Sequence, residues 1–384
     1  MASDLEVTSN LAPLNASKLK ITLTSTPKEH TPAESLKFGK TYSDHIIYAT
    51  YDPVTGWSDP EIRPYGPIAL DPAASGIQFC SNVFEGMKAY LGADGVPRLF
   101  RPELNMRRLE RSAGRLALPP FDGDVVLQLI KRFVQVEKRW IPTLSGCSLY
   151  LRPTIMGTMP GFSVVPSDSA TLVVIASPSG PYFAGEVKPV SLLAVSETVR
   201  AWPGGTGGHK VGGNYSPGFL PQKLAEKQGY SMVLWIFGED KSVTEAGAMN
   251  FFVVLKRDDG DGLDLITPPL DGTILPGVTR NSCLALAVDP SFQEATGLKL
   301  HTHERKFTMQ DILKWSNEQR LTEALCVGTA AILVSVDRIG YEGSDIHLPK
   351  CEGGLAPVGK ALRSKILAIQ EGREEFNGWS VSCD

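Results

Sequence analysis

The six cysteines of this 384-residue chain, at 80, 147, 283, 326, 351 and 383, form no C-x-x-C and show no paired spacing. Neither a zinc site nor a disulfide framework is indicated, and a reducing compartment is the expectation. Blocks of one charge are missing too. The net charge is −4 with acidic and basic residues interspersed, which argues against a nucleic-acid or membrane-surface role. The longest apolar runs, LVVIAS at 172–177 and AAILVSV at 330–336, fall well short of the ~20 residues a membrane span needs. The first 30 residues hold Asp4, Glu6 and Glu29 but no arginine and no apolar core segment, unlike a transit peptide or secretory signal. A soluble cytoplasmic protein is therefore expected, and the sequon Asn15-Ala16-Ser17 reads as a coincidental tripeptide. Histidine is scarce; His301-Thr302-His303 has no further ligand at a recognised spacing and predicts a surface strand or loop, with no metal site.

What is present is enough apolar material for a large core. At 42% hydrophobic residues, a chain of this length buries roughly 75% of its unfolded surface and divides into two or so domains. Residues 1–35 are rich in Ser, Thr and Pro and read as a loosely ordered arm. A small α+β domain follows over 36–183, a linker over 184–197, and a larger domain over 198–384. Apolar residues at 125, 126, 129, 130, 133 and 136 hold helical spacing with Asp124 as the N-cap, and 103–116 reads the same way. SLYLRPTIMG (148–157), TLVVIASP (171–178), SMVLWIF (231–237) and AMNFFVVLKR (248–257) predict strands. PGVTRNSCLALAVD (276–289) and the segment near 355–372 predict helices. The expected architecture is α+β in two units with a cleft between them.

One stretch stands apart. GGTGGHKVGGNY (204–215) sets a single lysine between glycine pairs. A phosphate loop needs glycine before the lysine and a hydroxyl after it, whereas His209 precedes Lys210 and Val211 follows. A plain surface loop accounts for the local sequence but predicts nothing about the rest. A lysine that attacks an aldehyde does: its amine must be neutral, so its pKa must fall well below ~10.4. If the aldehyde is pyridoxal phosphate, a carboxylate is needed for the pyridine nitrogen, donors for the phosphate and a group for the phenolic oxygen. Glu245, in a Gly/Ala-rich turn before an apolar strand, suits the first role. The N–H groups of Val278 and Thr279 at a helix start, with Thr329 and one arginine, suit the second. Tyr215, five residues past the lysine, suits the third. Taken singly, each residue has an ordinary reading as a cap, a first-turn residue or a core aromatic.

With these parts in view, the chain resembles the branched-chain amino acid aminotransferases of eukaryotic type, in the fold type IV class of pyridoxal-phosphate enzymes. The resemblance runs from FGKTYSDH (38–45) to the C-terminal helix. It is carried by NVFEGMKAY, LFRPELNMRRLERSA, SLYLRPTIMGT, GPYF, RAWPGGTGGHKVGGNY, TEAGAMN, TPPLDGTILPGVTR and GTA, in the family's order. It implies a Schiff base on Lys210, with Glu245 on the pyridine nitrogen, Tyr215 on the phenolic oxygen, and Arg108, Val278, Thr279 and Thr329 on the phosphate. The substrate pocket it implies is Phe38, Phe84, Tyr150, Arg152 and Tyr182, with Ala330 near the substrate carboxylate. It implies a homodimer in which the loop 157–164 reaches the neighbouring site. Phe79 and Ala248 stand where animal members carry hydroxyls, and Ala331 and Val334 replace their redox cysteines. The implied reaction is ping-pong transamination of Leu, Ile and Val with 2-oxoglutarate. A D-amino acid aminotransferase or a lyase of the same fold is the nearest alternative, and a non-catalytic binding relative a more distant one.

Overall fold

The computed structural model describes residues 11–180 and 188–384. Two mixed sheets, of ten and nine strands, dominate it, with helices interleaved along the chain. This is the α+β class expected from the sequence. The first sheet is built around Ser148–Gly157 and Ala170–Ser179, which pair antiparallel without interruption from Ser148 opposite Ser179 to Gly157 opposite Ala170. Ala170–Ser179 is rich in Leu, Val and Ile and buried at all but one position, whereas Ser148–Gly157 is half-buried at Arg152, Thr154 and Met156, which share one face. His45–Asp52 flanks one side of this pair and Met87–Leu91 the other.

Two helices, Pro102–Arg115 and Gly123–Val136, cover this sheet. Proline at the first position preorganises one of them. In the other, Val126, Leu129, Ile130 and Phe133 form the buried stripe that the spacing predicts. Its N-cap is Asp122 and not the expected Asp124: the Asp122 carboxylate accepts the N–H groups of Asp124 and Val125, so the helix begins two residues earlier.

In the second sheet, six strands close on themselves. Ser242–Ala246 pairs with Met232–Phe237 on one side and with Met249–Lys256 on the other. The hairpin turn is Gly247-Ala248, with Gly247 at φ +55 in the position where a two-residue hairpin of this kind favours glycine. Glu245 and Asn250 face each other across that closure. The helices Val278–Ala287 and Pro357–Gln370 share one core with this sheet and with Phe100 of the first.

The boundaries expected from composition do not follow the hydrogen bonding. Within the expected arm, Leu14 is in the first core, Lys20–Ile21 pairs with Glu61–Ile62, and Lys28 donates its backbone N–H to Asp44 and its amine to the Ser43 carbonyl. A polar composition concealed backbone pairing to a sheet edge. Of the expected linker, residues 184–187 lie outside the described residues, while Val190–Val195 is a strand paired on both sides. The chain's last strand, Ser380–Ser382, returns to the first sheet beside Pro97–Phe100.

Phe133 has no solvent exposure and packs in the first core. Phe133→Ala is expected to cost about 3–5 kcal/mol, measured as the loss of unfolding free energy in a urea titration; a loss under about 1 kcal/mol would mean the helix is not anchored through this ring.

Candidate active site

Lys210 sits where the two sheets meet. Its backbone N–H donates to Ser112 Oγ on the helix Pro102–Arg115 at 2.9 Å, and its carbonyl accepts the N–H of Phe84 at 3.1 Å. Val211 bridges to Val83. The lysine loop is thus bound both to the first sheet, through the strand Asn82–Phe84, and to the helix that covers it. The flanking glycines serve packing within the protein: a Cβ on Gly207 would lie 2.4 Å from Ala201 Cβ, and one on Gly212 would lie 2.3 Å from Asn82 Oδ1.

The amine Nζ lies 3.2 Å from the Tyr215 hydroxyl, 4.8 Å from the centre of the Phe84 ring and 5.6 Å from that of Tyr215. Burial, helped by the nearby Arg108 cation, pushes it down to about 8. Burial likewise pushes the Tyr215 hydroxyl up to about 12, so it stays a donor at neutral pH.

Two buried carboxylates frame this amine, and each is matched by an arginine. Glu245 Oε2 accepts from Arg200 Nε at 2.7 Å, while Oε1 accepts from Asn250 Nδ2 at 2.8 Å and the Leu275 N–H at 3.2 Å. Burial pushes the Glu245 carboxyl up, and Arg200, the Leu275 N–H and Lys210 pull against that shift. Glu85 receives Arg108 in a two-pronged pair, Nε at 2.6 Å and Nη2 at 2.9 Å, together with Asn105 Nδ2 at 2.8 Å. Burial alone would raise Glu85, but Arg108 outweighs it and holds the carboxyl below the usual range.

Arg108 also donates Nη1 to the Pro276 carbonyl at 2.9 Å, two residues before the helix that starts at Val278. Gly277 is its N-cap, and a Cβ there would lie 2.1 Å from Asn250 Oδ1. The first N–H groups of that helix, from Val278 and Thr279, have no partner within it. Thr329 and Ala330 are half-buried in the turn between Leu321–Gly328 and Ile332–Tyr341. The Ala330 carbonyl accepts from Lys88 Nζ at 2.7 Å. Burial, with Arg363 nearby, pushes that amine down to about 7.

Of the aromatic residues expected for the pocket, Phe84 lies beside the lysine, and Tyr150 and Phe38 follow from it through Arg152. Phe84 is tilted against Tyr215 at 5.0 Å, Arg152 lies over Phe84 at 4.7 Å, and Phe38 meets Tyr150 edge-on at 4.8 Å. Arg152 Nη2 donates to the Tyr150 hydroxyl at 3.1 Å. Gly86 makes room for that hydroxyl, which would lie 2.0 Å from a Cβ at this position. Tyr182 lies outside the described residues. Phe79 is 43% exposed, and Ala248 occupies the exposed second position of the hairpin turn. His303 is bound to Asp264 at 2.9 Å on the strand Leu300–Glu304.

Four residues that sequence reasoning passed over complete the arrangement: Arg200, Glu85, Asn250 and Lys88. Arg200 and Glu85 lie inside the quoted motifs RAWPGG and VFEG, and a charged residue among apolar neighbours, for Glu85 beside Gly86, was the available signal. Their partners are 45 and 23 residues away, which no local pattern reveals.

Residues 82–339 match the family described as Amino-transferase class IV. The chain belongs to that family. Among its relatives, a branched-chain-amino-acid aminotransferase of Monosiga brevicollis is 45% identical over 365 residues, 95% of this chain and 92% of the relative. The mitochondrial branched-chain-amino-acid aminotransferase of Schizosaccharomyces pombe is 43% identical over 96% of this chain and 86% of its own. The cytosolic enzyme of Saccharomyces cerevisiae is 42% identical, covering 96% and 98%. Among solved structures, the branched-chain amino acid aminotransferase of Escherichia coli superposes with a TM-score of 0.70 at 23% identity, covering 89% of this chain and 99% of that one.

An amine held at about 8 is roughly 10% neutral at pH 7 and roughly 90% neutral at pH 9. Because the neutral form is the nucleophile, the reaction of Lys210 with an aldehyde, trapped by borohydride and located by peptide mass spectrometry, is expected to quicken several-fold from pH 7 to 9 and then level off. A rate still rising steeply at pH 10 would show an amine with an ordinary pKa.

Proposed function

We propose that this chain is a pyridoxal-phosphate-dependent aminotransferase that moves the amino group of Leu, Ile and Val to 2-oxoglutarate, giving branched 2-oxo acids and glutamate. The observation that carries this reading is the half-buried Lys210, whose amine desolvation lowers to about 8 and which lies within 3.2 Å of the Tyr215 hydroxyl. The surrounding donor set fits the cofactor. Among the described residues three of the five Arg108 N–H groups are engaged, which leaves two to donate to a phosphate. They are joined by the N–H groups of Val278 and Thr279 and by the Thr329 hydroxyl. Glu245 is the carboxylate for the ring nitrogen, and Tyr215 is the donor for the phenolic oxygen.

When bound, the cofactor supplies an electron-withdrawing ring that spreads the negative charge left as the α-proton departs. The remaining work belongs to the protein. With the cofactor bound, the Lys210 Nζ amine would be the group that holds its aldehyde and, once free, the base that moves the proton from the substrate α-carbon to the former aldehyde carbon of the cofactor. Glu245 holds a proton at the ring nitrogen, kept in place by Arg200 and Asn250. Lys88, by gripping the Ala330 carbonyl, fixes the turn whose N–H groups face the substrate carboxylate. Phe38, Phe84 and Tyr150 cover an aliphatic side chain and exclude water, while Arg152 takes the second carboxylate of glutamate.

The homodimer belongs to the same reading. Phe162 and Val164, in the loop between the two long strands, are 77% and 87% exposed, which suits a loop that crosses to the neighbouring site. A cytoplasmic setting accords with cysteines that are all free among the described residues.

Two substrates using one site in turn should give parallel-line ping-pong kinetics with L-leucine and 2-oxoglutarate. Lys210→Ala is expected to abolish turnover, and Glu245→Gln to lower kcat at least ~100-fold while the cofactor remains bound, as read from its absorbance. Absence of 2-oxo acid from any branched L-amino acid would overturn the reading, and activity on D-amino acids alone would move the chain to another branch of its family.

A further inference from the structure

The pocket has a polar end that the branched-chain substrates do not need. In the antiparallel pairing of the two long strands, Tyr150 stands opposite Ser177 and Arg152 opposite Ile175. Side chains directly opposite each other share a face, so these four form two adjacent rows. Together with Phe38 and Tyr42 they enclose a cavity of about 200 Å³.

Two polar atoms in these walls are buried without a hydrogen-bond partner among the described residues: Ser177 Oγ and Arg152 Nε. Ser177 is only 5% exposed, and leaving a buried hydroxyl unsatisfied costs about 1–3 kcal/mol. Arg152 forms no ion pair among the described residues; its other neighbours are the aromatic faces of Phe84 and Tyr150 and the Tyr150 hydroxyl. Both orphans are donors, and one of them carries a positive charge. A carboxylate, an anion with two acceptor oxygens, satisfies both at once and answers the charge. A leucine, isoleucine or valine side chain can offer neither of them anything.

We infer that Ser177 is a specificity-determining residue for the dicarboxylic half of the reaction: its hydroxyl, together with Arg152 Nε–H, receives the side-chain carboxylate of glutamate or 2-oxoglutarate in this cavity. The inference rests on the proposed aminotransferase activity. It adds a residue that neither the motifs nor the expected pocket contained. Ser177 discriminates because a site built to hydrogen-bond a polar group rejects the analogue lacking it far better than an apolar pocket rejects a small change in size.

The test compares two half-reactions on the holoenzyme, each followed by the change in cofactor absorbance in a single turnover. In Ser177→Ala the rate constant over dissociation constant for glutamate is expected to fall at least ~10-fold, mainly through weaker binding, while that for leucine changes less than ~2-fold. Ser177→Thr, which keeps the hydroxyl, should recover most of the loss. Equal losses for glutamate and leucine, or no loss for glutamate, overturn the inference. If Ser177→Ala does not fold, competition by glutarate decides with Ser177→Thr and Ser177→Cys: glutarate must bind the threonine form the more tightly, and equal or reversed binding overturns the inference. Failure of the unmodified enzyme to react with leucine at all is a different result, and it strikes the proposed activity.

Discussion

Taking an ammonium out of water is among the most expensive things a protein interior can do, and near Lys210 that expense is turned to use. The amine can lower its free energy by losing its proton, and burial pushes it down to about 8. For the shift to survive, no unopposed negative charge can sit nearby. Two carboxylates do lie within reach, and both are neutralised by arginine: Glu85 by Arg108 at 2.6 Å and Glu245 by Arg200 at 2.7 Å. Each pair removes most of the field its carboxylate would exert on the amine, and Arg108 adds a repulsion of its own. The ion pairs matter less for stability, where buried pairs often return little, than for leaving desolvation as the dominant influence on the lysine.

That electrostatic balance dictates where the chain must run. Glu245 is held at the point where six strands of the second sheet close, and the short Gly247-Ala248 turn fixes its register against Asn250. Asn250 is then occupied by Glu245 and by the Leu275 carbonyl, which leaves space only for glycine at 277 and so sets the start of the helix Val278–Ala287. From the first sheet and the helix that covers it, Phe84, Lys88 and Arg108 reach across to segments joined to the second, to Lys210, Ala330 and Pro276. The site depends on both sheets at once because no single one supplies the amine, its counter-charges and the pocket.

The elements legible in the sequence were those written in local periodicity. The stripe Val126, Leu129, Ile130 and Phe133, the apolar run 172–176 and the strand pattern of 148–157 can be read without knowing what they touch. Lys210 and Tyr215 were legible because they lie five residues apart and meet at 3.2 Å. Arg200, Glu85 and Lys88 were not, because each acquires its meaning from a partner brought in by the fold; for Lys88 that partner is 242 residues away. The same cause explains the arm and the linker. Val190–Val195 is a strand only because Met232–Phe237 and Ile332–Tyr341 lie beside it, and nothing in its own composition announces a parallel neighbour on each side. The glycines around Lys210 illustrate a subtler failure: their importance was visible, but the atoms they accommodate, Ala201 Cβ and Asn82 Oδ1, were not.

A single pocket that serves an aliphatic side chain and a charged one faces opposing demands, since a surface made polar enough for a carboxylate would be a poor host for leucine. The arrangement here separates the two demands in space. Near the amine the surfaces are the faces of Phe84 and Tyr215, and Arg152 lies against aromatic rings, its cation sheltered by their π faces at 4.7 and 5.3 Å. In that setting the guanidinium tolerates an apolar neighbour without a counter-ion, because the rings already stabilise it. The donors that remain unsatisfied, Arg152 Nε and Ser177 Oγ, lie in the walls of the small cavity beside Tyr150. An acid long enough to reach that cavity gains two hydrogen bonds, whereas a branched side chain that stops short leaves their cost as it was. Discrimination then resides in reach, and neither substrate requires the pocket to rearrange for the other.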